Sequence, residues 1–212
     1  FSRRLASWHH HLVTRPVCAA MPSQALFDYP SMNSQNIILT GFMGCGKTTV
    51  GRILASRLGY RFVDTDRLIE ERCAMTVEQV FASRGEAAFR LLEREVAEEL
   101  GGLGGLVVAT GGKLMLDAGN AKALGNSGHV FCLTASPEDI LRRVGGDAGA
   151  VRPLLQGDDP RGRIRQLLEE RREGYRQFPQ VATGGRSPEE VAEEILRLVD
   201  MAQGGQQPAR EM

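Results

Sequence analysis

Residues Gly41–Thr48 read GFMGCGKT and fit the phosphate-binding pattern G-x-x-x-x-G-K-[ST]. They follow the apolar run Asn36–Thr40, which predicts a buried strand, and lead into Lys47–Leu58, whose apolar spacing predicts a helix. In this context glycines let backbone N–H groups turn toward phosphate oxygens, and the helix N-terminus adds the positive end of its dipole. The stretch therefore predicts a nucleotide-phosphate site between a strand and a helix.

The side chains of this loop have separate expected roles. We expect Lys47 to reach the outer phosphates and the Thr48 hydroxyl to ligate Mg²⁺. Such loops serve kinases, GTPases, motors and regulators, so the motif indicates phosphate binding without defining a reaction.

Strands alternate with helices along most of the chain. We predict further strands at 61–64, 106–110, 129–133 and 180–183, and further helices at 66–72, 76–83, 86–100, 118–124, from 136, 161–178 and from 187. This alternation predicts an α/β fold with parallel strands joined by crossover helices. We expect one domain over 35–202, with a Gly-, Asp- and Pro-rich lid loop at about 145–160 and a polar tail at 203–212.

Residues 1–34 differ from the rest of the chain. They keep no helical or strand period, carry the histidine run 9–11 and include a single acid, Asp28. We interpret them as an N-terminal extension that is disordered or is a start-site artefact, with Met32 as a natural start. An organelle transit segment, which is also rich in Arg and poor in acids, is the alternative.

Composition restricts the expected partners. The 212 residues contain 26 Lys and Arg and 26 Asp and Glu, whereas a general nucleic-acid binder has a basic excess. No apolar run approaches the roughly 18 residues of a membrane span. Four dispersed cysteines without a C-x-x-C pair favour a reducing cytoplasm (Cys18, Cys45, Cys73 and Cys132). We expect a cytoplasmic monomer that binds small molecules, and neither nucleic acid nor membrane.

Two carboxylates follow the second predicted strand. Residues two apart in an extended chain point the same way, so Asp64 and Asp66 are expected to face one site. One would serve Mg²⁺, and the other would accept a hydrogen bond from an attacking hydroxyl. The alternative is that the pair caps the next helix.

Three further features are candidates for binding an anionic substrate. Arg90 flanks the apolar stripe of the long helix, and Glu93 can hold its guanidinium so that it clamps a carboxylate; a surface ion pair is the alternative. Gly111–Gly112 ends the third strand, at the edge where parallel sheets bind ligands, unless it is a simple turn. Arg152 in the lid loop would close over transferring phosphates, unless that loop is plain surface.

Taken together, these motifs resemble the shikimate kinase family. In order they are GFMGCGKTTVGRILA, FVDTDRLIE, FASRGEAAFRLLE, ATGG, RPLL and R-x-x-x-Y at Arg171–Tyr175, and the resemblance covers about residues 35–200. It implies a three-layer αβα P-loop fold with a five-stranded parallel sheet and a mobile lid. It also implies transfer of the ATP γ-phosphate to the 3-hydroxyl of shikimate, in chorismate and aromatic amino-acid biosynthesis.

The resemblance also implies residue roles by position. The catalytic group is Lys47, Asp66 and Arg152. The shikimate-binding group is Asp66, Arg90, Gly111, Gly112 and Arg171. The Mg²⁺ group is Thr48 and Asp64. The ATP-binding group is Gly44, Cys45, Gly46, Lys47, Thr48, Thr49, Arg143, Arg152, Arg186 and Pro188.

Two positions depart from the family pattern. Lys113 stands where a third glycine is usual after the third strand, and Ala182 stands where Asp is common. Three interpretations of Lys113 are open. Its side chain points away from the site, it adds a cation beside the substrate carboxylate, or it changes which acid is accepted. The alternatives for function are therefore a kinase of a different small hydroxy acid and, from another class, a non-catalytic nucleotide-binding regulator.

Overall fold

The computed structural model describes residues 34–145 and 159–204. Most of the N-terminal extension, most of the lid loop with Arg152, and most of the tail lie outside these ranges. The strands are β1 (Asn36–Thr40), β2 (Arg61–Asp64), β3 (Leu106–Ala109), β4 (Gly128–Thr134) and β5 (Gln180–Ala182). The α-helices are α1 (Lys47–Leu58), α2 (Thr65–Cys73), α3 (Val77–Gly101), α4 (Ala118–Gly125), α5 (Pro137–Gly145), α6 (Pro160–Arg176) and α7 (Pro188–Gly204).

The five strands form one parallel sheet in the order β2-β3-β1-β4-β5. In the central strand β1, Ile37 pairs with Val107 of β3 on one side and with His129 of β4 on the other. All strands therefore end at one edge, where the loops that carry the candidate site residues meet. The predicted α/β fold with a five-stranded parallel sheet is confirmed.

Both faces of the sheet are covered by helices. Every residue of β1 is buried, and alternate side chains enter different apolar clusters. Ile37 and Leu39 pack with residues of α1, α6 and α7, whereas Ile38 packs with residues of α3 and α4. Side chains of a strand alternate between the two faces of the sheet. The two separate apolar clusters therefore show that a layer of helices covers each face.

Most element limits lie within two residues of the predicted ones. The break predicted between the helices at 76–83 and 86–100 is confirmed, because α3 is interrupted at Gly85 (φ 80°, ψ 169°), a conformation restricted to glycine. The helix predicted from 66 begins at Thr65, because the Asp64 side chain accepts a hydrogen bond from the Arg67 N–H and caps α2. The interpretation of Asp64 and Asp66 as two residues of one extended segment is therefore wrong.

Candidate active site

The phosphate loop connects β1 to α1 at the carboxyl edge of the sheet. Gly44 and Gly46 have φ of 75° and 92°, so both need the freedom of glycine to turn the loop onto the helix N-terminus. Lys47 lies over this loop and donates through Nζ to the carbonyls of Gly41 (2.9 Å) and Phe42 (3.0 Å). Burial lowers its pKa, while Cys45, Asp66 and Asp64 act in the opposite direction. The loop therefore presents a cation beside its backbone N–H groups.

The two residues predicted to serve a metal are in contact. Thr48 Oγ1 donates to Asp64 Oδ2 at 3.1 Å, which joins the start of α1 to the end of β2. Oxygen donors of this type suit Mg²⁺, which takes few ligands from protein and completes its shell with phosphates and water. Residues 34–145 and 159–204 contain no cluster of three or more His, Cys, Asp or Glu able to hold a metal alone.

Asp66 stands in the first turn of α2, near the phosphate loop. Its pKa is raised to about 6, mainly by burial and then by the charges of Asp64 and Glu93, while Lys47 lowers it. A carboxylate with a pKa near neutrality is suited to accept a proton from a hydroxyl at physiological pH. The charge of Lys47 acts on this carboxyl group, so Asp66 is electrostatically coupled to the phosphate-binding loop.

Gly111 lies directly against Asp66. A Cβ atom added at Gly111 would be 2.4 Å from Asp66 Oδ1 and 3.2 Å from Glu93 Oε1, and the Gly111 N–H donates to Thr65 Oγ1 at 2.9 Å. The missing side chain is therefore what lets the end of β3 pack against both carboxylates. This explains why a glycine is needed here.

Gly112 faces the opposite wall, which is formed by α6. A Cβ atom there would lie 3.1 Å from Arg171 Nη1 and 3.9 Å from Tyr175 Oη, and the Tyr175 hydroxyl donates to the Gly112 carbonyl at 2.5 Å. Arg171 is 5% exposed, its Nε has no hydrogen-bond partner among the described residues, and its guanidinium lies over the Phe42 ring at 5.1 Å. A buried cation with an unused donor is suited to receive an anionic group.

Arg90 is held between two carboxylates on α3. Its Nη1 donates to Glu93 Oε2 at 2.5 Å, and its Nε and Nη2 donate to Glu86 Oε1 at 3.3 Å and 2.9 Å. Glu93 is only 2% exposed, so the alternative of a surface ion pair is wrong for the pair between Arg90 and Glu93. The prediction that Glu93 holds the guanidinium is confirmed.

The family assignment follows from comparison with known proteins. The family model described as shikimate kinase matches residues 43–200, which is most of the chain. The chain belongs to the shikimate kinase family. A shikimate kinase of Symbiobacterium thermophilum is 46% identical over 163 residues, which cover 76% of this chain and 94% of the relative. One of Thermus thermophilus is 47% identical over 161 residues, covering 76% and 87%.

Solved structures of shikimate kinases agree with this assignment. The enzyme of Acinetobacter baumannii in complex with shikimate has a TM-score of 0.74 and 37% identity, covering 86% of this chain and 99% of that one. A gluconokinase from Sinorhizobium meliloti has a TM-score of 0.56 at 18% identity, a likeness that extends to the fold alone. The predicted three-layer P-loop architecture is thus that of the shikimate kinase family.

The residues predicted to flank adenine have structural partners in this chain. Arg143 donates to the Gly44 carbonyl at 3.2 Å and to Thr183 Oγ1 at 2.9 Å, so it ties the phosphate loop to the segment after β5. Arg186 donates to the Ala182 carbonyl at 3.1 Å and pairs with the Glu194 carboxylate. Pro188 begins α7, and Thr49 lies in the first turn of α1. Arg152 lies outside the described residues.

The sequence analysis assigned no individual role to three residues of the site. Thr65 receives the Gly111 N–H, Tyr175 fixes the Gly112 carbonyl, and Phe42 supports Arg171. Only the Arg171–Tyr175 pair had a local signal, because residues four apart on a helix share a face. The partners of Thr65 and Phe42 come from distant segments, so no spacing in the sequence indicates them.

We expect Gly111→Ala to lower kcat/KM for the acceptor by about 100-fold, the cost of displacing a reacting group by roughly 1 Å. The added Cβ forces the Asp66 carboxylate away from its position, since the contact would be 2.4 Å. Steady-state kinetics measures this effect. Gly125→Ala on α4 is the matched control, because no atom of the described part of the chain lies within 4 Å of a Cβ there. Equal kinetics for the two variants would contradict the role given to Gly111.

Proposed function

We propose that this protein transfers the γ-phosphate of ATP to the 3-hydroxyl of shikimate, giving shikimate 3-phosphate and ADP. One observation carries the proposal: the proton acceptor Asp66 lies against Gly111, and the buried cation Arg171 lies against Gly112. A substrate with a hydroxyl group for Asp66 and a carboxylate for Arg171 matches these two side chains. Membership of the shikimate kinase family supports the same substrate.

In the proposed reaction, the oxygen of the substrate hydroxyl forms a bond to the γ-phosphorus, and Asp66 accepts the proton that this hydroxyl loses. The bond between that phosphorus and the β–γ bridging oxygen breaks, and ADP leaves with the electron pair. Lys47 offsets the negative charge on the transferring group. Arg152, which lies outside the described residues, is proposed to do the same from the lid.

Arg90 and Arg171 are proposed to hold the substrate carboxylate. Three of the five N–H donors of Arg90 are used by Glu86 and Glu93, which leaves two for the two oxygens of one carboxylate. The Nε of Arg171 is buried and has no hydrogen-bond partner within residues 34–145 and 159–204. Gly111 and Gly112 are proposed to line the same pocket with bare backbone.

Thr48 and Asp64 are proposed to hold Mg²⁺, since their oxygen atoms already meet at 3.1 Å. The metal ion would neutralise charge on the phosphates of ATP. The proposed ATP contacts are Gly44, Cys45, Gly46, Lys47, Thr48, Thr49, Arg143, Arg152, Arg186 and Pro188.

The domain limits, the monomeric state and the cytoplasmic location remain predictions from the sequence. Within residues 34–145 and 159–204, no helix is long and apolar enough to cross a bilayer. We propose one kinase domain over about 35–202, preceded by the extension and followed by the tail.

A coupled assay of ADP release, with and without shikimate, tests the proposed function. We expect release to depend on shikimate, with little release when another small hydroxy acid replaces it. Release that is unchanged by shikimate, but rises with a different hydroxy acid, would favour the alternative kinase. ATP binding without release under any acceptor would favour a regulator.

The pH dependence of kcat/KM follows from the position of Asp66. This carboxylate must be ionised to accept a proton, and its pKa is raised to about 6. Activity is therefore expected to rise as pH increases through about 6, with a tenfold change per pH unit below it. Steady-state kinetics between pH 5 and pH 8 in buffers of constant ionic strength, at about 0.1 M, measures the profile. A flat profile across this window would contradict Asp66 as the proton acceptor.

A further inference from the structure

Lys113 is a charged residue next in sequence to the glycine pair that follows β3. It directly follows Gly112, and its Nζ lies 3.5 Å from Glu86 Oε1. The side chain is 48% exposed and that of Glu86 is 58% exposed, so the pair lies at the rim of the site. The same Glu86 oxygen accepts the hydrogen bonds from Arg90 Nε and Nη2. Lys113 and Arg90 therefore share one carboxylate oxygen.

This arrangement has an electrostatic consequence for an anionic substrate. Glu86 and Glu93 place two negative charges next to Arg90. These charges would repel an incoming carboxylate. Lys113 adds a second positive charge, so the group of four side chains becomes neutral. The pKa of Glu86 is lowered, first by the Arg90 hydrogen bond and next by the charge of Lys113. Glu86 thus remains ionised and paired with both cations.

The orientation of Arg90 depends on several contacts at once. Its guanidinium lies 5.8 Å from the centre of the Phe81 ring and 5.5 Å from that of Phe89, while the two glutamates hold its edges. Glu86 directly follows the non-helical Gly85, so it begins a new helical segment rather than continuing a rigid one. A partner outside α3 that restrains Glu86 would help to keep Arg90 in place.

We propose that Lys113 is a positioning residue for substrate binding, which acts through Glu86 to keep Arg90 oriented and to offset negative charge next to the substrate carboxylate. The inference rests on the proposed acceptor being a carboxylate such as shikimate. It assigns to Lys113 an effect on acceptor affinity, and no effect on ATP.

Isothermal titration of shikimate into the 212-residue chain tests this inference without requiring turnover. We expect Lys113→Ala to raise the Kd for shikimate by about three- to tenfold, the effect of one unit charge several ångströms away in largely aqueous surroundings. Lys113→Arg should restore most of the affinity. The Kd for ATP should stay unchanged in both variants. Lys122→Ala, at an exposed lysine of α4, is the matched control and should behave as wild type.

Two further measurements separate this role from a merely structural one. The loss in Lys113→Ala should shrink as salt rises from about 0.02 M to about 0.5 M, because exposed charges are screened. In a Glu86→Gln background, the effect of Lys113→Ala should be smaller than in wild type, since the part of it that passes through that carboxylate is already lost.

Specific results would overturn the inference. Wild-type affinity for shikimate in Lys113→Ala at low salt would do so, as would an equal loss of ATP affinity. An undiminished effect of Lys113→Ala in the Glu86→Gln background would exclude the route through Glu86. If the wild-type chain binds no shikimate, the proposed substrate fails and the inference fails with it; if it binds normally, only the inference is at stake.

Discussion

Replacing Asp66 with asparagine is expected to lower kcat by about 10²- to 10⁴-fold, the usual contribution of a positioned general base. The amide keeps the size of the carboxylate, so the packing against Gly111 is preserved, but it cannot take up a proton. Affinity for ATP should change little, because the phosphate loop is formed by other residues. The kcat from steady-state kinetics and the Kd for ATP from titration calorimetry together measure this split.

The control for this substitution is Asp200→Asn on the exposed side of α7, which removes one carboxylate without touching the site. The substitution at Asp66 should also remove the rise in activity through about pH 6, because that rise belongs to its titration. Equal losses of kcat and of ATP affinity would instead make Asp66 a structural residue. An unchanged kcat would contradict the proposed mechanism.

Lys47→Met is expected to lower kcat by about 10²- to 10³-fold, the cost of removing one preorganised donor to developing charge. Methionine keeps much of the length of lysine and removes the positive charge. Burial lowers the pKa of Lys47, so the ammonium group is held there at a desolvation cost. The melting temperature of the variant should therefore be similar to that of wild type or higher, in contrast to the loss of activity.

Lys47→Met should also change the pH profile of the residual activity. Lys47 lowers the pKa of Asp66, so its removal should move the acidic limb of the profile to higher pH. Lys122→Met on α4 is the matched control for loss of a lysine. If the acidic limb of the pH profile does not move, Lys47 and Asp66 are electrostatically independent. A kcat equal to that of the control would contradict the role of Lys47 in transfer.

The sequence predicts the fold well where local signals repeat. Helix α1 begins and ends as predicted because Gly46 and Gly59, both in the left-handed conformation, bound its apolar stripe. The strands β1 and β2 were also predicted at their observed limits. The prediction fails where one side chain decides the outcome, as with the Asp64 cap of α2, whereas the interruption at Gly85 agrees with the two helices predicted there.

The candidate site is predictable only in part. Motif spacing predicts Lys47, Thr48, Asp64 and Asp66 as site residues, because phosphate and metal chemistry constrain residues close in the chain. The contact of Gly112 with Arg171 joins positions 59 residues apart, and that of Lys113 with Glu86 joins positions 27 apart. Such contacts depend on how α3 and α6 pack at the end of β3, which residue types alone do not determine.

The product of the reaction provides the most direct test of the account. The 212-residue chain would be incubated with Mg²⁺, ATP and shikimate, and the mixture followed by ³¹P nuclear magnetic resonance with a proton correlation. We expect a new phosphate monoester signal coupled to the hydrogen at carbon 3 of shikimate, formed in step with ADP and absent in Asp66→Asn over the same period. ADP formation without that signal, or a phosphate on another carbon, would contradict the central claim.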